Sequence, residues 1–266
     1  MRKKLTTALI ALSAAMMLSA CTTSPTGRSQ VLLYSDAQLA QSGAQAFAGM
    51  KQEIPISSTA VTNNFVQCIA NNIIQQLGPS ASPDDWEVVV FDSDQVNAFA
   101  LPGKKIGVYT GLLKVAQNQD QVAAVIGHEV GHVLAQHGNE RMSQSTLIGI
   151  SQEAVSVALQ SNNVAQSGAI MSAFGLGAQL GVTLPFSRAH ETEADIIGLD
   201  LMARAGFDPR QSINLWQNMN KASGGNRPLE MLSTHPAPDT RIANLRANMG
   251  PALTTYNAVL NKPKCE

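Results

Sequence analysis

Two histidines four residues apart enclose a glutamate in His128-Glu129-Val130-Gly131-His132. On a helix, residues at i and i+4 share one face, with Cβ atoms about 5–6 Å apart. That reach lets two imidazoles hold one zinc ion at about 2.0–2.1 Å. Glu129 then points beside the ion and can take a proton from a water whose pKa zinc lowers to about 7. The pattern offers metal-assisted hydrolysis with one Zn2+ per chain, His128 and His132 as ligands and Glu129 as general base. The bland alternative is a helix carrying two ordinary core or surface histidines.

A catalytic zinc site usually has three protein ligands and one open position. His137 lies five residues past His132, well round the helix, and reads better as a cation near the helix C-terminus. The stronger third ligand is Glu191, within His190-Glu191-Thr192-Glu193-Ala194-Asp195. Glu191 and Asp195 are again four apart. One carboxylate could ligate zinc while the other accepts a hydrogen bond from a ligand imidazole and fixes its tautomer. Taken alone, such an acidic patch is more often just an exposed first turn, where acids suit the helix dipole. Gly127 and Gly131 each cost about 1 kcal/mol relative to Ala inside a helix. Such a cost makes sense where another backbone approaches closely.

The elements that must position these residues follow from periodicity and punctuation. Residues 36 to 77 are patterned as helix, with an apolar face around Phe65, Ile69, Ile73 and Leu77. Trp86 to Phe91 is a β-rich run, and Asn97–Leu101 and Ile106–Tyr109 flank Pro102-Gly103 as a hairpin. A helix from Gly111 leads to the histidine helix, which Asp120 can cap and Gly138 can stop. Ser143 to Val182 is rich in Ala, Gly, Ser and Gln, enough for a helix pair but too polar for a membrane span. Ser187 can cap the next helix, which ends at Gly206 with Pro209 beyond. Two more helices follow, one with Ile213, Leu215, Trp216 and Met219, and one near Asp239 to Asn248.

The N-terminus reads as an address. Arg2, Lys3 and Lys4 precede the short apolar run Ala8 to Leu18, which ends in Leu18-Ser19-Ala20-Cys21. This looks like a bacterial lipobox, with residues 1–20 a signal peptide and Cys21 the lipidated residue; the alternative is an ordinary signal peptide and an incidental cysteine. Residues 21–35 then form a lipidated tether, and 36–266 one domain. Thr22, rather than an aspartate, favours the periplasmic face of the outer membrane. Removing residues 1–20 takes away three cations and no acid, leaving 15 basic against 19 acidic residues, a net of −4. No basic patch fit for a run of phosphates is present, so nucleic acid is not an expected partner. With Cys21 lipidated, Cys68 and Cys265 remain as a pair for a disulfide in an oxidising compartment, or as two free buried thiols.

At these residues the chain resembles the HtpX and CAAX-prenyl-endopeptidase family of zinc peptidases. Val96-Asn97-Ala98-Phe99-Ala100-Leu101-Pro102-Gly103, His128 to His132, and Glu191 with Asp195 carry the resemblance. The 63-residue spacing from His128 to Glu191 is similar too. With its lipobox and short length, the chain looks most like the LoiP-like periplasmic lipoproteins of that family. Lys104 departs from the pattern, where many members have a second glycine. The resemblance implies an α+β, mainly α fold, with gluzincin-like helices, a small β-sheet and a hairpin. It implies that Asn97, Ala98, Phe99 and Ala100 form an edge strand pairing with extended substrate, although a purely structural hairpin fits as well. Ser233-Thr234-His235-Pro236 and Arg241 match a further family feature. His235 could donate to the oxyanion, reach the zinc, or serve only as a turn residue. Arg241 could pair with a site carboxylate or aid the oxyanion.

The expected function is membrane-anchored periplasmic zinc endopeptidase, acting on polypeptides in envelope protein quality control, with the membrane met through Cys21 and other envelope proteins as further partners. A chaperone or binding lipoprotein with a zinc site and little turnover is the competing expectation.

Overall fold

The computed structural model describes residues 21–79, 81–162, 168, 187–223, 229–235 and 238–265. It is mainly helical with two small sheets, as expected. The chain falls into two compact units, one of residues 1–35 and 136–184 and one of 36–135 and 185–266.

The first unit contains β1 (Cys21–Thr23), β2 (Ser29–Val31) and a long helix, His137–Ser161. Residues 21–35, read from sequence as a tether, instead form an antiparallel hairpin with Cys21 opposite Val31. Its polar residues have partners on the helix. Arg28 donates to both oxygens of Glu140 at 2.7 and 2.6 Å, and Gln30 donates to the same carboxylate at 3.1 Å. The Leu33 N–H donates to Ser143 Oγ at 2.8 Å. Polarity here marks specific pairing, not solvation. The expected second helix of 143–182 lies largely outside the described residues.

The second unit is laid out in chain order as α1 (Asp36–Glu53), α2 (Ala60–Ile74), β3 (Glu87–Phe91), β4 (Ala98–Leu101), β5 (Lys105–Tyr109), α3 (Thr110–Val115) and α4 (Gln119–Leu134). The long helix of the first unit is α5. The chain returns with α6 (Arg188–Arg204), α7 (Gln211–Ala222), α8 (Glu230–Thr234) and α9 (Pro238–Ala258). No described helix is long and apolar enough to cross a membrane.

The sheet order is β3-β5-β4, with β3 parallel and β4 antiparallel to β5. Strand alternation divides its side chains. Val90, Ala98, Ile106 and Val108 enter the main core with α2 and α4. Phe91, Phe99 and Tyr109 point the other way and close on Phe47 of α1. At the β4–β5 turn, Gly103 has φ +85° and Lys104 has φ 61°. Lys104 takes a left-handed position that suits glycine, and its Nζ is fixed 2.8 Å from Asp85 Oδ2.

Helix α4 is capped by Asn118, whose Oδ1 accepts the Gln121 N–H at 3.0 Å; Asp120, the residue expected there, lies inside the first turn. The helix ends at Leu134, before Gly138, because Gln136 adopts φ 52°. His137 consequently begins α5 instead of closing α4, and is fully buried. Ser187 caps α6 by accepting the His190 N–H at 3.2 Å. The last helix continues past Asn248 and through Pro251 to Ala258.

A disulfide joins Cys68 on α2 to Cys265. Gln119, at the start of α4, fixes the same tail: its Nε2 donates to Pro263 O at 2.9 Å and its Oε1 accepts the Cys265 N–H at 2.8 Å.

Candidate metal centre

Helices α4 and α6 cross through glycine. A Cβ on Gly127 would stand 2.9 Å from Gly198 O, and one on Gly131 2.9 Å from Ala194 O. A Cβ on Gly198 would meet His128 N at 2.7 Å. Backbone therefore rests on backbone, which answers for the helix-propensity cost of both α4 glycines. Asp195 and Glu191 lie about one and two turns N-terminal to Gly198 on α6. They are brought against the histidine face of α4.

His128, His132, Glu191 and His235 each present a ligand atom, and all four atoms lie within 4.8 Å of one another. The Nε2 atoms of His128 and His132 are 3.0 Å apart. His235 Nδ1 is 3.3 Å from His128 Nε2 and 3.0 Å from Glu191 Oε1. His132 Nε2 stands 3.5 Å from Glu191 Oε1. Two ligands at about 2.0–2.1 Å from one ion in a tetrahedral shell are roughly 3.3–3.4 Å apart. The cluster has the dimensions of a metal site, and all four residues are buried.

The surrounding charges agree. Asp195 Oδ1 is 3.0 Å from His128 Nδ1, which leaves Nε2 facing the cluster. Arg241 binds Asp195 through Nε at 2.9 Å and Nη2 at 2.5 Å, and its Nη1 is 2.8 Å from Glu191 Oε2. Its guanidinium carbon sits 3.6 Å from the ring centroid of Trp216. Three buried carboxylates, Glu129, Glu191 and Asp195, face one guanidinium. A divalent cation would cancel the excess. Glu129 Oε1 is 3.5 Å from His235 Nε2 and has no hydrogen-bond partner among the described residues. A buried carboxylate oxygen without a protein donor is fit to meet water.

Protonation follows from the same contacts. Burial raises the Glu129 carboxyl, against the opposing pull of His235 and His128. Burial also pushes Glu191 and Asp195 up, but their partners overcome it. Bonds from His128 and His235 bring Glu191 below the usual range, and the Arg241 charge with its bond and that of His128 does so for Asp195. For His128, burial and Arg241 oppose charging, yet the bonds to Asp195 and Glu191 outweigh them and hold the metal-free imidazole at about 9.

The structure thus gathers His128, Glu129, His132, Glu191, Asp195, His235 and Arg241. Ala98, Phe99 and Ala100 lie on β4, preceded by Asn97, and β4 packs against α4, the helix that bears His128 and His132. β4 is at the sheet edge, with β5 its one strand neighbour among the described residues. The Ala98 N–H donates to Asn97 Oδ1 at 3.0 Å. Trp216 was legible in sequence only as an apolar residue on a helix face. No spacing rule ties a tryptophan to an arginine 25 positions later.

A buried His/His/Glu constellation on crossed helices, with a carboxylate beside it, defines a metallopeptidase-like centre. The chain belongs to peptidase family M48, whose model matches residues 60–249. It is 37% identical over 185 residues to the mitochondrial metalloendopeptidase OMA1 of Schizosaccharomyces pombe, covering 69% of this chain and 52% of the relative. It is 40% identical over 176 residues to OMA1 of Arabidopsis thaliana, covering 65% and 34%. The beta-barrel assembly-enhancing protease of Yersinia pestis is 28% identical over 204 residues, covering 74% and 41%. The matches thus span about half of these relatives' length or less.

These matches correct the expected bacterial outer-membrane, periplasmic location. The relatives at 37 and 40% identity are mitochondrial enzymes, and residues 1–20, which carried the expectation, lie outside the described residues. A basic start and a short apolar run address a protein only to whichever sorting machinery reads them. Their composition does not name the cell.

Proposed function

We propose that the chain is a zinc-dependent endopeptidase. His128, His132 and Glu191 hold the ion, Asp195 orients His128, and Glu129 is the general base. The observation that carries this reading is the four-atom cluster beside a buried, unsatisfied Glu129 oxygen. When bound, zinc supplies a Lewis acid for the scissile carbonyl and the attacking water. Glu129 takes the water's proton and returns it to the leaving amine. Burial raises its carboxyl toward working pH, which strengthens it as a base. Arg241 holds the two carboxylates in place and also meets the His128 ring, with Nη2 2.9 Å from Nδ1. The edge strand with Asn97, Ala98, Phe99 and Ala100 pairs with the main chain of an extended substrate. Attachment through a lipid on Cys21, and a role in quality control of membrane-protein assembly, belong to the same proposal. The name of the Yersinia pestis relative supports the latter.

Glu129→Gln should keep stoichiometric zinc and lose casein hydrolysis. Full turnover in that variant removes Glu129 as base.

One observation favours a second reading, a zinc-holding binding or chaperone protein with little turnover. His235 makes the ligand set four, and structural zinc sites are closed whereas catalytic ones keep a position open. Under the peptidase reading His235 closes the resting site and must withdraw for substrate. His235→Ala should then keep zinc on three ligands and raise turnover of a short peptide. Under the second reading the variant loses zinc affinity and gains no turnover.

A further inference from the structure

The inference builds on the metal-site reading above and concerns Trp216, which none of that chemistry uses. Arg241 is 2% exposed, among the most deeply withdrawn side chains of the unit. A buried guanidinium needs partners on every side. On its edge it has Asp195, Glu191 and the His128 ring, with Nη2 2.9 Å from His128 Nδ1. Its Cζ lies over the Trp216 indole, 3.6 Å from the ring centroid. The same ring stands 6.3 Å from the His128 ring at an interplanar angle of 80°. Trp216 is itself buried and comes from α7, an element that supplies no ligand.

The geometry points to Trp216 as a positioning residue of the metal centre, one that holds the Arg241 guanidinium in the plane from which it grips Asp195 and Glu191. Edge contacts alone leave the plane of a guanidinium free to tilt about them. Seated on an aromatic face, it keeps one plane, because the ring attracts the cation and blocks rotation into its own volume. That plane lets Nε and Nη2 meet Asp195 while Nη1 remains 2.8 Å from Glu191 Oε2. This last contact lacks hydrogen-bond geometry, so it depends on where the cation is held. Asp195 in turn orients His128. The ring therefore sets two ligands without touching the ion. An aliphatic side chain fills part of the space and does not attract the charge.

The test is a double-mutant cycle on zinc affinity, measured on the full chain by competition with a chromogenic chelator. Trp216→Leu is expected to weaken zinc binding about 10–100-fold, the usual loss for a group that orients ligands. Trp216→Phe, which retains an aromatic face, should recover most of that loss. In an Arg241→Met background, Trp216→Leu should cost no further affinity, because the cation it positions is gone. Urea unfolding of the metal-free proteins measures lost packing separately. Equal losses with and without Arg241, or no loss at all, overturn the proposal. Should Trp216→Leu not fold, Trp216→Met, unbranched and likewise without an aromatic face, takes its place in the cycle with the same expected non-additivity. A wild-type chain that takes up no zinc is a distinct failure: it removes the metal-site reading and this inference with it.

Discussion

Arg241 grips Asp195 through two nitrogens of one guanidinium, with Nε at 2.9 Å and Nη2 at 2.5 Å, and both side chains are buried. Such a pair is costly to half-remove, because the surviving charge stays in a dry site. Arg241→Met should destabilise the metal-free protein by about 3–5 kcal/mol in urea unfolding. Adding Asp195→Leu to that variant should restore part of the loss while leaving zinc affinity low. A single Arg241→Met variant as stable as wild type would count against the pair as described.

The glycines at the α4–α6 crossing should be intolerant in proportion to their contacts. Gly127→Ala gains about 1 kcal/mol of helix propensity. It also pushes a methyl to 2.9 Å from Gly198 O, an overpacking that costs about 1–3 kcal/mol. The prediction is a lower melting temperature together with weaker zinc binding. Gly149 of α5 has open space where a Cβ would go, so Gly149→Ala should stabilise by about 0.5–1 kcal/mol. Identical effects at the two sites would refute the close-contact account.

Zinc uptake should release a proton from His128. Its metal-free imidazole, held at about 9 by Asp195 and Glu191 against burial and Arg241, is charged at neutral pH, and metal needs it neutral. Affinity should therefore climb by about tenfold per pH unit up to about 9 and then level. The same raised value has a consequence for folding. The charged imidazole stabilises the metal-free fold fully below about 6.5, its unfolded value. That contribution disappears as pH rises through about 9. Chelator competition across pH 6–10 checks the first statement, and metal-free melting over the same range checks the second. A flat affinity profile would exclude a charged His128 in the metal-free state.

The Cys68–Cys265 bond closes a span of 197 residues. Replacing both cysteines by serine should cost about 2–5 kcal/mol, the usual penalty for losing a native bridge. Amide exchange should rise first in the tail that Gln119 holds. An unchanged melting temperature in the double variant would show that Gln119 and packing suffice.

Much of the site was readable because its logic is local. His128, Glu129 and His132 declare themselves by a four-residue interval, as do Glu191 and Asp195, and helix geometry does the rest. The two glycines hinted at a close neighbour without saying which. Gly198, the partner, lies 71 positions from Gly127, and only folding reveals the match. The hairpin of residues 21–31 was hidden for a different reason. Its polar residues look like those of a solvated linker until Glu140 and Ser143 arrive from another part of the chain. His137 was misassigned because the turn at Gln136 uses a left-handed residue without glycine to announce it. The location expected from the N-terminus failed because an address is read by other molecules and leaves no trace in packing.

A bare main chain has no rotamers. Where Gly127 and Gly131 lie against α6, the gap between the two ligand-bearing helices is set by rigid peptide planes, not by side chains that can rearrange. The receptor for the ion is thus stiff before the ion arrives, and little freedom is left to surrender on binding.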